Sequence, residues 1–385
     1  MKKNNLPIKI LVIDDSETNR YYIKTVFSFA GEDFLCITSE DGYSGLATAR
    51  EEKPDVIILD IMMPGKDGYQ VCRELKEDPV TKEIPVLFMT SLSQIEDKDK
   101  GFSVGAVDYI AKPVEASELI ARVQTHSNLY RAKKSIEESY ENIQKELKTA
   151  QALQLEMLPK KNFIKNIFFN WYFRPSMDVS GDIFGAVDTE KDISYFYIID
   201  VSGHGVASAM LSLLVKQSIE TAIKDNEIYD IYELVKFLDE KTSEYFSDGG
   251  YFTCIIMKMY ENTVEFGNFG HRKPIFLKNG KAYIPQGTNL PMGMGYYSEI
   301  DNIEKDIYEF AENDIIVVYT DGIVEAENDI REFFSEERMI KIIEENSENN
   351  SENIVRKIEE NFLKFSSSND PADDITILVM RKVKK

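Results

Sequence analysis

The sequence has little cysteine and no long apolar segment. Its three cysteines, Cys36, Cys72 and Cys254, lie far apart in the 385 residues, which argues against a disulfide framework and against a CxxC metal site. We therefore expect a reducing, cytoplasmic setting. No apolar run approaches the roughly 20 residues that a membrane-spanning helix needs. The first residues, MKKNNLPIKILVIDD, are not typical of a signal peptide, because the apolar run is short and ends in two aspartates.

Basic residues are also scarce. The chain has 45 Lys and Arg against 67 Asp and Glu, which gives a formal net charge of −22. So acidic a surface repels nucleic acid and anionic membranes, and the sequence contains neither a basic module nor a helix-turn-helix pattern. These features argue against a DNA-binding regulator, which is one alternative interpretation of the chain, and predict no contact with membranes. The length predicts two to three domains.

The first 125 residues alternate short apolar runs with amphipathic segments. The runs are IKILVI (8–13), DFLCIT (33–38), DVIILD (55–60), IPVLFM (84–89) and VDYI (107–110). Alternation of this kind is typical of a parallel sheet that is covered by helices on both faces. We expect an α/β doubly wound domain with a five-stranded parallel sheet over residues 1–125.

Residues 126–158 differ from this pattern. Five apolar side chains recur there at spacings of 4, 3, 4 and 3 residues: Ile136, Tyr140, Ile143, Leu147 and Ala150. The heptad spacing predicts a helical coiled-coil linker that joins two copies of the chain. Three polar residues fall on the same seam, namely His126, Lys133 and Gln154, so the dimer should be modest or switchable. The alternative is a single amphipathic helix that packs on a domain.

Strand-like runs dominate residues 159–385. They are FFNWYF, SYFYIID, YFTCIIMKMY, TVEFGNF, KPIFLKN, DIIVVYT and DITILVMR, and helical blocks separate them early and late. Such a distribution predicts an α+β domain in which a β-sandwich is flanked by helices.

Acidic residues follow two of the strands predicted in the first domain. Asp14 and Asp15 end the first strand, and Asp60 ends the third. Because ligands of an open parallel sheet sit beyond the carboxyl ends of its strands, these side chains should meet in one crevice, where Mg²⁺ would offset their repulsion. Two further strand ends bring Thr90 and Lys112 to the same crevice. A hydroxyl and an ammonium there could bind a phosphoryl group on a carboxylate.

These residues resemble the response-regulator receiver domain, with CheY-like topology. The matching stretches are VIDD, LDIMMPGKDGYQ, FMTS and GAVDYIAKP, over about residues 8–125. The resemblance implies that a sensor histidine kinase phosphorylates Asp60. It also implies a cis Lys112–Pro113 bond and a set of further roles: Asp14, Asp15, Asp60 and the backbone carbonyl of Met62 as Mg²⁺ ligands, Thr90 and Tyr109 as a switch pair, and Lys112 as the phosphate contact. A tyrosine such as Tyr109 in an apolar strand is otherwise read as half-buried.

The stretch IIDVSGHGVASAM (198–210) holds Asp200, Ser202 and His204 within five positions. A serine hydrolase would raise its serine on a GxSxG turn with the acid and histidine far away in sequence, and this stretch does not match that pattern. The other interpretation is a metal site, in which a strand ends at Asp200 and a glycine turn follows.

Other aspartates with the same setting support the metal interpretation. They are Asp182 in SGDIFGAV, Asp321 in YTDG, and Asp373 and Asp374 in PADDITILVM. Together they could hold two cations ~3.5–4 Å apart that activate a water for attack at phosphorus. A set of carboxylates suits Mg²⁺ or Mn²⁺. The alternative is that these aspartates are turn and cap residues.

Six stretches in order resemble the PPM-type metal-dependent serine/threonine phosphatases, most of all the SpoIIE/RsbU-like branch. They are SGDIFGAV, IIDVSGHGVASAML, GNFGHRKPIFL, NLPMGM, YTDGIVEA and DDITILV. The resemblance implies two Mn²⁺ or Mg²⁺ ions whose ligands are Asp182, Asp200 (bridging), the backbone carbonyl of Val201, Asp321, and Asp373 as first choice over Asp374. Many relatives carry an aspartate where this chain has Gly185, so one metal position is in doubt. We interpret His271 as a structural residue beside a turn.

The combined expectation is a response regulator that dephosphorylates phosphoserine or phosphothreonine on a partner protein under the control of Asp60. By resemblance, that partner is an anti-sigma-factor antagonist of the STAS type. One alternative is a phosphatase-like binding module that is catalytically weak and sequesters a signalling partner. Retained aspartates argue against this alternative, and Gly185 argues for it.

Overall fold

The computed structural model describes residues 6–91, 98–246, 249–366 and 371–384, and only the backbone of residues 91 and 98–100. The chain divides into two compact units, Met1–Ile143 and Gln144–Lys385. Each unit is described separately below.

The first unit contains a parallel sheet. Its strands are β1 (Ile8–Ile13), β2 (Phe34–Ser39), β3 (Val56–Asp60), β4 (Val86–Ser91) and β5 (Asp108–Lys112), and its helices are α1 (Glu17–Ala30), α2 (Gly42–Glu52), α3 (Gly68–Glu77), α4 (Lys98–Ser103) and the beginning of α5 (Ala116–Glu156). The strand order is β2-β1-β3-β4-β5, and every pairing is parallel. The predicted doubly wound five-stranded fold is therefore confirmed.

Alternate residues of each strand supply two separate cores. Leu11, Ile57 and Leu59 belong to the core on one face of the sheet. Ile10 and Val12 belong to the core on the other face. Because both faces are covered, the strands are mostly apolar, and β3 is buried along its whole length, which is why the sequence shows apolar runs rather than alternation.

The helix α5 begins as the last helix of the first unit. Arg131 donates to both carboxylate oxygens of Asp55, at 2.9 and 2.6 Å, and Lys133 pairs with Glu83 at 2.6 Å. Side-chain contacts with the first unit thus extend to Lys133. The boundaries expected at residues 125 and 158 stay predictions.

The second unit contains two antiparallel sheets. One has the order β14-β11-β10-β9-β8 and the other β13-β12-β15-β16-β7-β6. Their strands are β6 (Phe163–Ile164), β7 (Ile167–Arg174), β8 (Asp182–Asp188), β9 (Ile193–Val201), β10 (Phe252–Tyr260), β11 (Thr263–Phe269), β12 (Ile275–Lys278), β13 (Lys281–Tyr283), β14 (Asp306–Glu309), β15 (Ile315–Tyr319) and β16 (Ile375–Lys382).

The two sheets pack face to face around one core. Phe184 and Phe196 of the first sheet share that core with Phe169 and Leu378 of the second. The helices lie outside: α6 (Val206–Lys224) packs on β8 and β9 with α7 (Ile231–Thr242) beside it, and α10 (Ser351–Phe365) packs on β7 and β16 next to α9 (Glu336–Glu345). The predicted helix-flanked sandwich is confirmed. A four-residue helix, α8 (Asp321–Val324), follows β15.

Among the described residues, one helix reaches the length and hydropathy of a membrane span. This helix is α6, and half of that apolar segment is buried within the domain. Core helices commonly have the same composition.

The direction of the strands brings four chain segments to one end of the sandwich. The strand β8 begins at Asp182 and its antiparallel neighbour β9 ends at Val201. In the other sheet, β15 ends at Tyr319 and its antiparallel neighbour β16 begins at Ile375. The aspartates lie at these four strand ends: Asp182 and Asp200 are in β8 and β9, Asp321 follows β15, and Asp373 and Asp374 precede β16.

Candidate functional site

Three carboxylates meet at the carboxyl ends of β1 and β3. One oxygen each of Asp14, Asp15 and Asp60 lies within 4.8 Å of the other two. Asp14 and Asp60 are buried, whereas Asp15 is exposed. Three acids at this spacing repel one another, and a hard cation with oxygen ligands is the natural compensation. The cluster therefore fits Mg²⁺.

Lys112 reaches the same cluster from the end of β5. Its Nζ lies 2.9 Å from Asp60 Oδ1 and 3.3 Å from Asp14 Oδ2. Burial raises the pKa of the Asp60 carboxyl, and the hydrogen bond and charge of Lys112 oppose that rise. The Lys112–Pro113 bond is cis, as predicted.

The carboxylate of Asp14 is oriented by the beginning of α1. Asn19 Nδ2 donates to both oxygens of Asp14, at 3.2 and 3.0 Å, and the Ser16 N–H donates to Oδ1 at 2.8 Å. Sequence reasoning missed Asn19. Its position one turn into the helix that follows VIDD is the signal that could have found it.

The predicted switch pair lies on two neighbouring strands, Thr90 on β4 and Tyr109 on β5. Thr90 is buried next to Met89, the residue that pairs with Asp60 across β3 and β4. Tyr109 is also buried, and its ring makes an edge contact with Phe102 at 5.2 Å between centroids. A Cβ atom at Gly101 would fall 1.6 Å from the Tyr109 hydroxyl, so a glycine at that position allows the ring to lie there. The switch role itself stays a prediction, as does the backbone role of Met62.

The second cluster begins with two aspartates that stand directly opposite each other. Asp182 of β8 pairs with Asp200 of β9. Side chains at such paired positions have Cβ atoms about 4.5–5.5 Å apart. Asp182 is buried, and its Oδ2 accepts hydrogen bonds from Thr320 Oγ1 at 2.7 Å and Thr376 Oγ1 at 2.8 Å. The hydroxyls come from the opposite sheet and fix the direction of this carboxylate.

The pKa of Asp200 responds to burial and to the charges of further carboxylates. Burial raises its pKa to about 7, and the charges of Asp321, Asp373 and Asp374 add to the rise. Burial, followed by the charges of Asp200 and Asp374, holds the pKa of Asp182 well above its usual value. The neighbouring charges that act on these two groups all come from carboxylates. The segments beside the four strand ends thus form one negatively charged site.

This charge pattern fits a pair of divalent cations. Carboxylate oxygens without a lysine or arginine partner are costly to bury, and cations that prefer oxygen would relieve the cost. The carbonyl of Val201 also lies at this end, since a Cβ at Gly181 would be 3.1 Å from it. The donor set contains only oxygen, which suits Mg²⁺ or Mn²⁺.

Asp373 and Asp374 differ in their surroundings. Asp374 is buried and accepts three hydrogen bonds, from Ser176 N–H at 2.7 Å, Ser176 Oγ at 2.9 Å and Gly181 N–H at 2.7 Å. Asp373 is exposed at the surface, but partial burial of its carboxyl group and the charge of Asp321 raise its pKa. These surroundings support Asp373 as the metal ligand. They support Asp374 as a residue that stabilises the backbone at Ser176 and Gly181.

The surroundings of Ser202 and His204 differ from those of a catalytic nucleophile and its base. Ser202 Oγ accepts a hydrogen bond from the Tyr251 N–H at 3.0 Å, and the Ser202 N–H donates to the Tyr251 carbonyl at 3.0 Å. His204 is exposed, between two glycines with φ of 95° and 87°. Ser202 therefore ties the turn to the segment before β10.

His271 is buried beside a neighbouring strand. Its Nδ1 lies 2.8 Å from Thr253 Oγ1, and Thr253 stands opposite Asp200. The His271 N–H donates to Asn268 Oδ1 at 2.9 Å. Burial lowers its pKa to about 3, so the ring is neutral, and a hydrogen bond to the backbone of Tyr319 opposes that shift in part. These contacts support a role in holding the turn.

Gly185 has no space for a side chain. A Cβ there would lie 2.1 Å from the hydroxyl of Tyr197. That hydroxyl is itself 3.1 Å from Glu220 Oε1 and 3.2 Å from Lys216 Nζ. An aspartate at this position would displace Tyr197, so the acid that the family resemblance led us to consider here is sterically excluded.

Sequence reasoning missed two threonines of the second site, Thr320 and Thr376. Each lies one or two positions from a predicted ligand, in YTDG and DDIT, and both donate to Asp182. Their position at strand ends beside aspartates was the available signal.

Comparison with known families matches both domains. Residues 191–383 match the family model of Stage II sporulation protein E (SpoIIE). Residues 10–124 match the response regulator receiver domain.

Curated relatives match the first domain. Response regulator PleD of Caulobacter vibrioides is 42% identical over 117 residues, which cover 30% of this chain and 25% of PleD. Protein PilH of Pseudomonas aeruginosa is 41% identical over 115 residues, which cover 30% of this chain and 93% of PilH. The chain thus spans only a quarter of PleD but nearly all of PilH.

Solved structures match the second domain in fold. The SiaA-PP2C domain of Pseudomonas aeruginosa has a TM-score of 0.55 at 17% identity and covers 63% of this chain and 98% of its own. The RsbU and RsbW domains of a Mycobacterium tuberculosis protein have a TM-score of 0.50 at 18% identity, covering 59% of this chain and 62% of theirs. At these identities the likeness concerns the fold alone.

Proposed function

This chain belongs to the Stage II sporulation protein E (SpoIIE) family and carries a receiver domain, and on that premise we propose that it is a response regulator whose output is the metal-dependent dephosphorylation of a phosphoserine or phosphothreonine protein. The observation that carries the proposal is the electrostatic cluster of Asp182, Asp200, Asp321 and Asp373 at one end of the sandwich, where the charges acting on the buried pair are all carboxylates.

In this proposal four aspartates hold two cations. Asp182, Asp200, Asp321 and Asp373 would be the ligands with the Val201 carbonyl, and Asp200 would bridge. When bound, two Mg²⁺ or Mn²⁺ ions supply charge that offsets the phosphate and lower the pKa of a water. The protein contributes orientation, because Thr320 and Thr376 hold one oxygen of Asp182 and leave the other for a ligand.

The receiver is proposed to control this output through Asp60. Asp14, Asp15, Asp60 and the Met62 carbonyl would hold Mg²⁺, and a sensor histidine kinase would supply the phosphoryl group. Lys112 pairs with Asp60 Oδ1, and its ammonium would donate a hydrogen bond to an oxygen of the phosphoryl group. Thr90 and Tyr109 would respond to that change.

The substrate is proposed to be a phosphorylated anti-sigma-factor antagonist of the STAS type. Support comes from the RsbU/SpoIIE-like motifs of the second domain. The acidic chain, with a net charge of −22, offers no support for nucleic acid as a partner.

We further propose that two copies associate through α5. Leu129, Ile136, Tyr140 and Ile143 recur on one stripe of this helix and are 69%, 69%, 63% and 53% exposed. Large apolar side chains at heptad spacing are covered by a second helix in coiled coils. A second copy of the same helix offers the same stripe.

The decisive experiment measures phosphate release from a phosphoserine-bearing STAS protein in the presence of Mn²⁺. We expect the wild type to release phosphate, and Asp200→Asn or a chelator to abolish release. Removing one metal ligand that both cations share should lower the rate by about 10³-fold or more, on the scale of losing one essential electrostatic group.

A contrary result separates the two candidate functions. If the folded wild type binds both Mn²⁺ and the phosphoprotein but releases no phosphate, the protein is a binding module that sequesters its partner. The exclusion of an acid at position 185 by Tyr197 is the observation that favours this second candidate.

A further inference from the structure

The end of α5 makes a specific contact with the second domain. Gln154, in the last turn of this helix, is only 2% exposed. Its Nε2 donates to the Ser180 carbonyl at 2.7 Å, and its Oε1 accepts from the Ser180 N–H at 3.0 Å. One side-chain amide thus satisfies both backbone groups of one residue, as a neighbouring strand would.

Ser180 in turn holds the beginning of β8. Its Oγ accepts a hydrogen bond from the Asp182 N–H at 3.0 Å. The residue between them, Gly181, donates its N–H to Asp374 Oδ2 at 2.7 Å. The turn 180–182, which positions the proposed ligand Asp182, is therefore held by α5 on one side and by Asp374 on the other.

The chemistry of the side chain matters at this position. Gln154 falls on the apolar seam of the linker, where an apolar residue would be expected. Leu158, which follows the end of α5, is apolar and packs into the sandwich core. A buried amide is costly unless its donor and acceptor are both used, and here both are used on the same residue.

We propose that Gln154 is a positioning residue that ties the turn carrying Asp182 to the end of α5, so that the affinity of the second domain for its divalent cations depends on the place of that helix end. This inference rests on the proposed function and deepens it, since it names a contact through which the linker controls the metal site. Groups that orient a ligand typically change metal affinity 10–100-fold when they are removed.

The contact is sensitive to displacement. Hydrogen bonds at 2.7 and 3.0 Å are lost when donor and acceptor separate beyond about 3.5 Å. A shift of the helix end by about 1 Å must therefore either break both bonds or move Ser180, and with Ser180 the backbone of Asp182.

The test compares Gln154→Leu with Gln151→Leu in the full chain. Leucine keeps the apolar volume but removes the amide. Gln151 lies on the same helix, is only partly buried, and serves as the matched control. Mn²⁺ binding is measured by isothermal titration calorimetry, with Asp14→Asn in every variant so that the receiver cluster contributes less to the signal.

We expect Gln154→Leu to weaken Mn²⁺ binding about 10-fold or more, and Gln151→Leu to leave it within about twofold of the parent. Phosphate release should show the same shift in the Mn²⁺ concentration for half-maximal rate, while the rate at saturating Mn²⁺ changes little. A purely structural role would lower the melting temperature without this shift in metal affinity.

Equal Mn²⁺ affinity in the two variants would overturn the inference. If Gln154→Leu does not fold, Gln154→Glu takes its place, because a carboxylate still accepts from the Ser180 N–H but cannot donate to its carbonyl; unchanged affinity in that folded variant has the same meaning. Failure of the proposed function is a separate outcome, because Mn²⁺ binding can be measured whether or not phosphate is released.

Discussion

Two neighbouring residues, Asp373 and Asp374, show how differently the structure uses the same side chain. Asp374 is buried, and its two carboxylate oxygens accept hydrogen bonds from Ser176 and Gly181. Asp373 is exposed at the surface, and partial burial of its carboxyl group together with the charge of Asp321 raises its pKa. The first shapes the protein around the site, and the second is placed to bind a ligand.

Alanine substitutions should separate these two tasks. We expect Asp374→Ala to lower the free energy of unfolding of the second domain by roughly 2–4 kcal/mol, because buried donors on Ser176 and Gly181 lose their acceptor. Asp373→Ala should leave that free energy within about 0.5 kcal/mol, in the presence of a chelator, and weaken Mn²⁺ binding instead. Denaturant unfolding and Mn²⁺ titration check the pair.

The opposite distribution of effects would contradict the assignment. If Asp373→Ala unfolds the domain and Asp374→Ala retains full stability with weak Mn²⁺ binding, then Asp374 is the ligand.

At the scale of secondary structure, α5 carries two different surfaces. Its middle presents the exposed apolar stripe from Leu129 to Ile143. Its last turns face the second domain through Gln154, with Leu158 following in the core. The apolar seam predicted from the sequence therefore consists of two different surfaces. The first is the exposed stripe, and the second is the end of the helix, which packs against the second domain.

A charge in the exposed stripe should weaken association of two copies. We expect Ile143→Glu to raise the dissociation constant of the dimer at least about tenfold, because two carboxylates would be placed in the apolar seam. Asn142→Glu adds the same charge one position away, outside the seam, and is the matched control. Sedimentation equilibrium measures both.

Identical dissociation constants for the two variants would show that this stripe is not the dimer contact. A wild type that remains monomeric at high concentration would favour the alternative of a single amphipathic helix.

At the scale of the whole molecule, the chain joins a receiver domain to a SpoIIE-family domain. The receiver retains a cluster that fits Mg²⁺ and a lysine beside the proposed phosphoacceptor. We therefore expect the phosphorylation state of the receiver to affect the output of the second domain.

Phosphorylation of Asp60 should therefore change the rate of phosphate release. We expect beryllofluoride with Mg²⁺, which mimics the phosphoryl group on a carboxylate, to change the rate of the wild type at least about threefold, a difference of roughly 0.7 kcal/mol in activation free energy. Asp60→Asn should abolish the response without abolishing the basal rate. An equal response in the wild type and in Asp60→Asn would show that control does not pass through this residue.

Local patterns in the sequence predict the strands of the first domain and the acidic residues at strand ends of both domains. Apolar runs such as VIIL (56–59) predict buried parallel strands, and a strand that ends at Asp60 places its carboxylate at the sheet edge where ligands bind. The aspartates at 182 and 200 were found in the same way. Local patterns suffice for this, because strand direction alone decides which end carries each residue.

The contacts that support those acids depend on tertiary packing. Thr320 and Thr376 donate to Asp182 across 138 and 194 residues of chain, and Gln154 reaches Ser180 across 26. The difference between Asp373 and Asp374 has the same origin. A hydrogen bond depends on distances of a few tenths of an ångström, which are set by how two sheets and a helix end pack together, and no periodicity in the sequence records that packing.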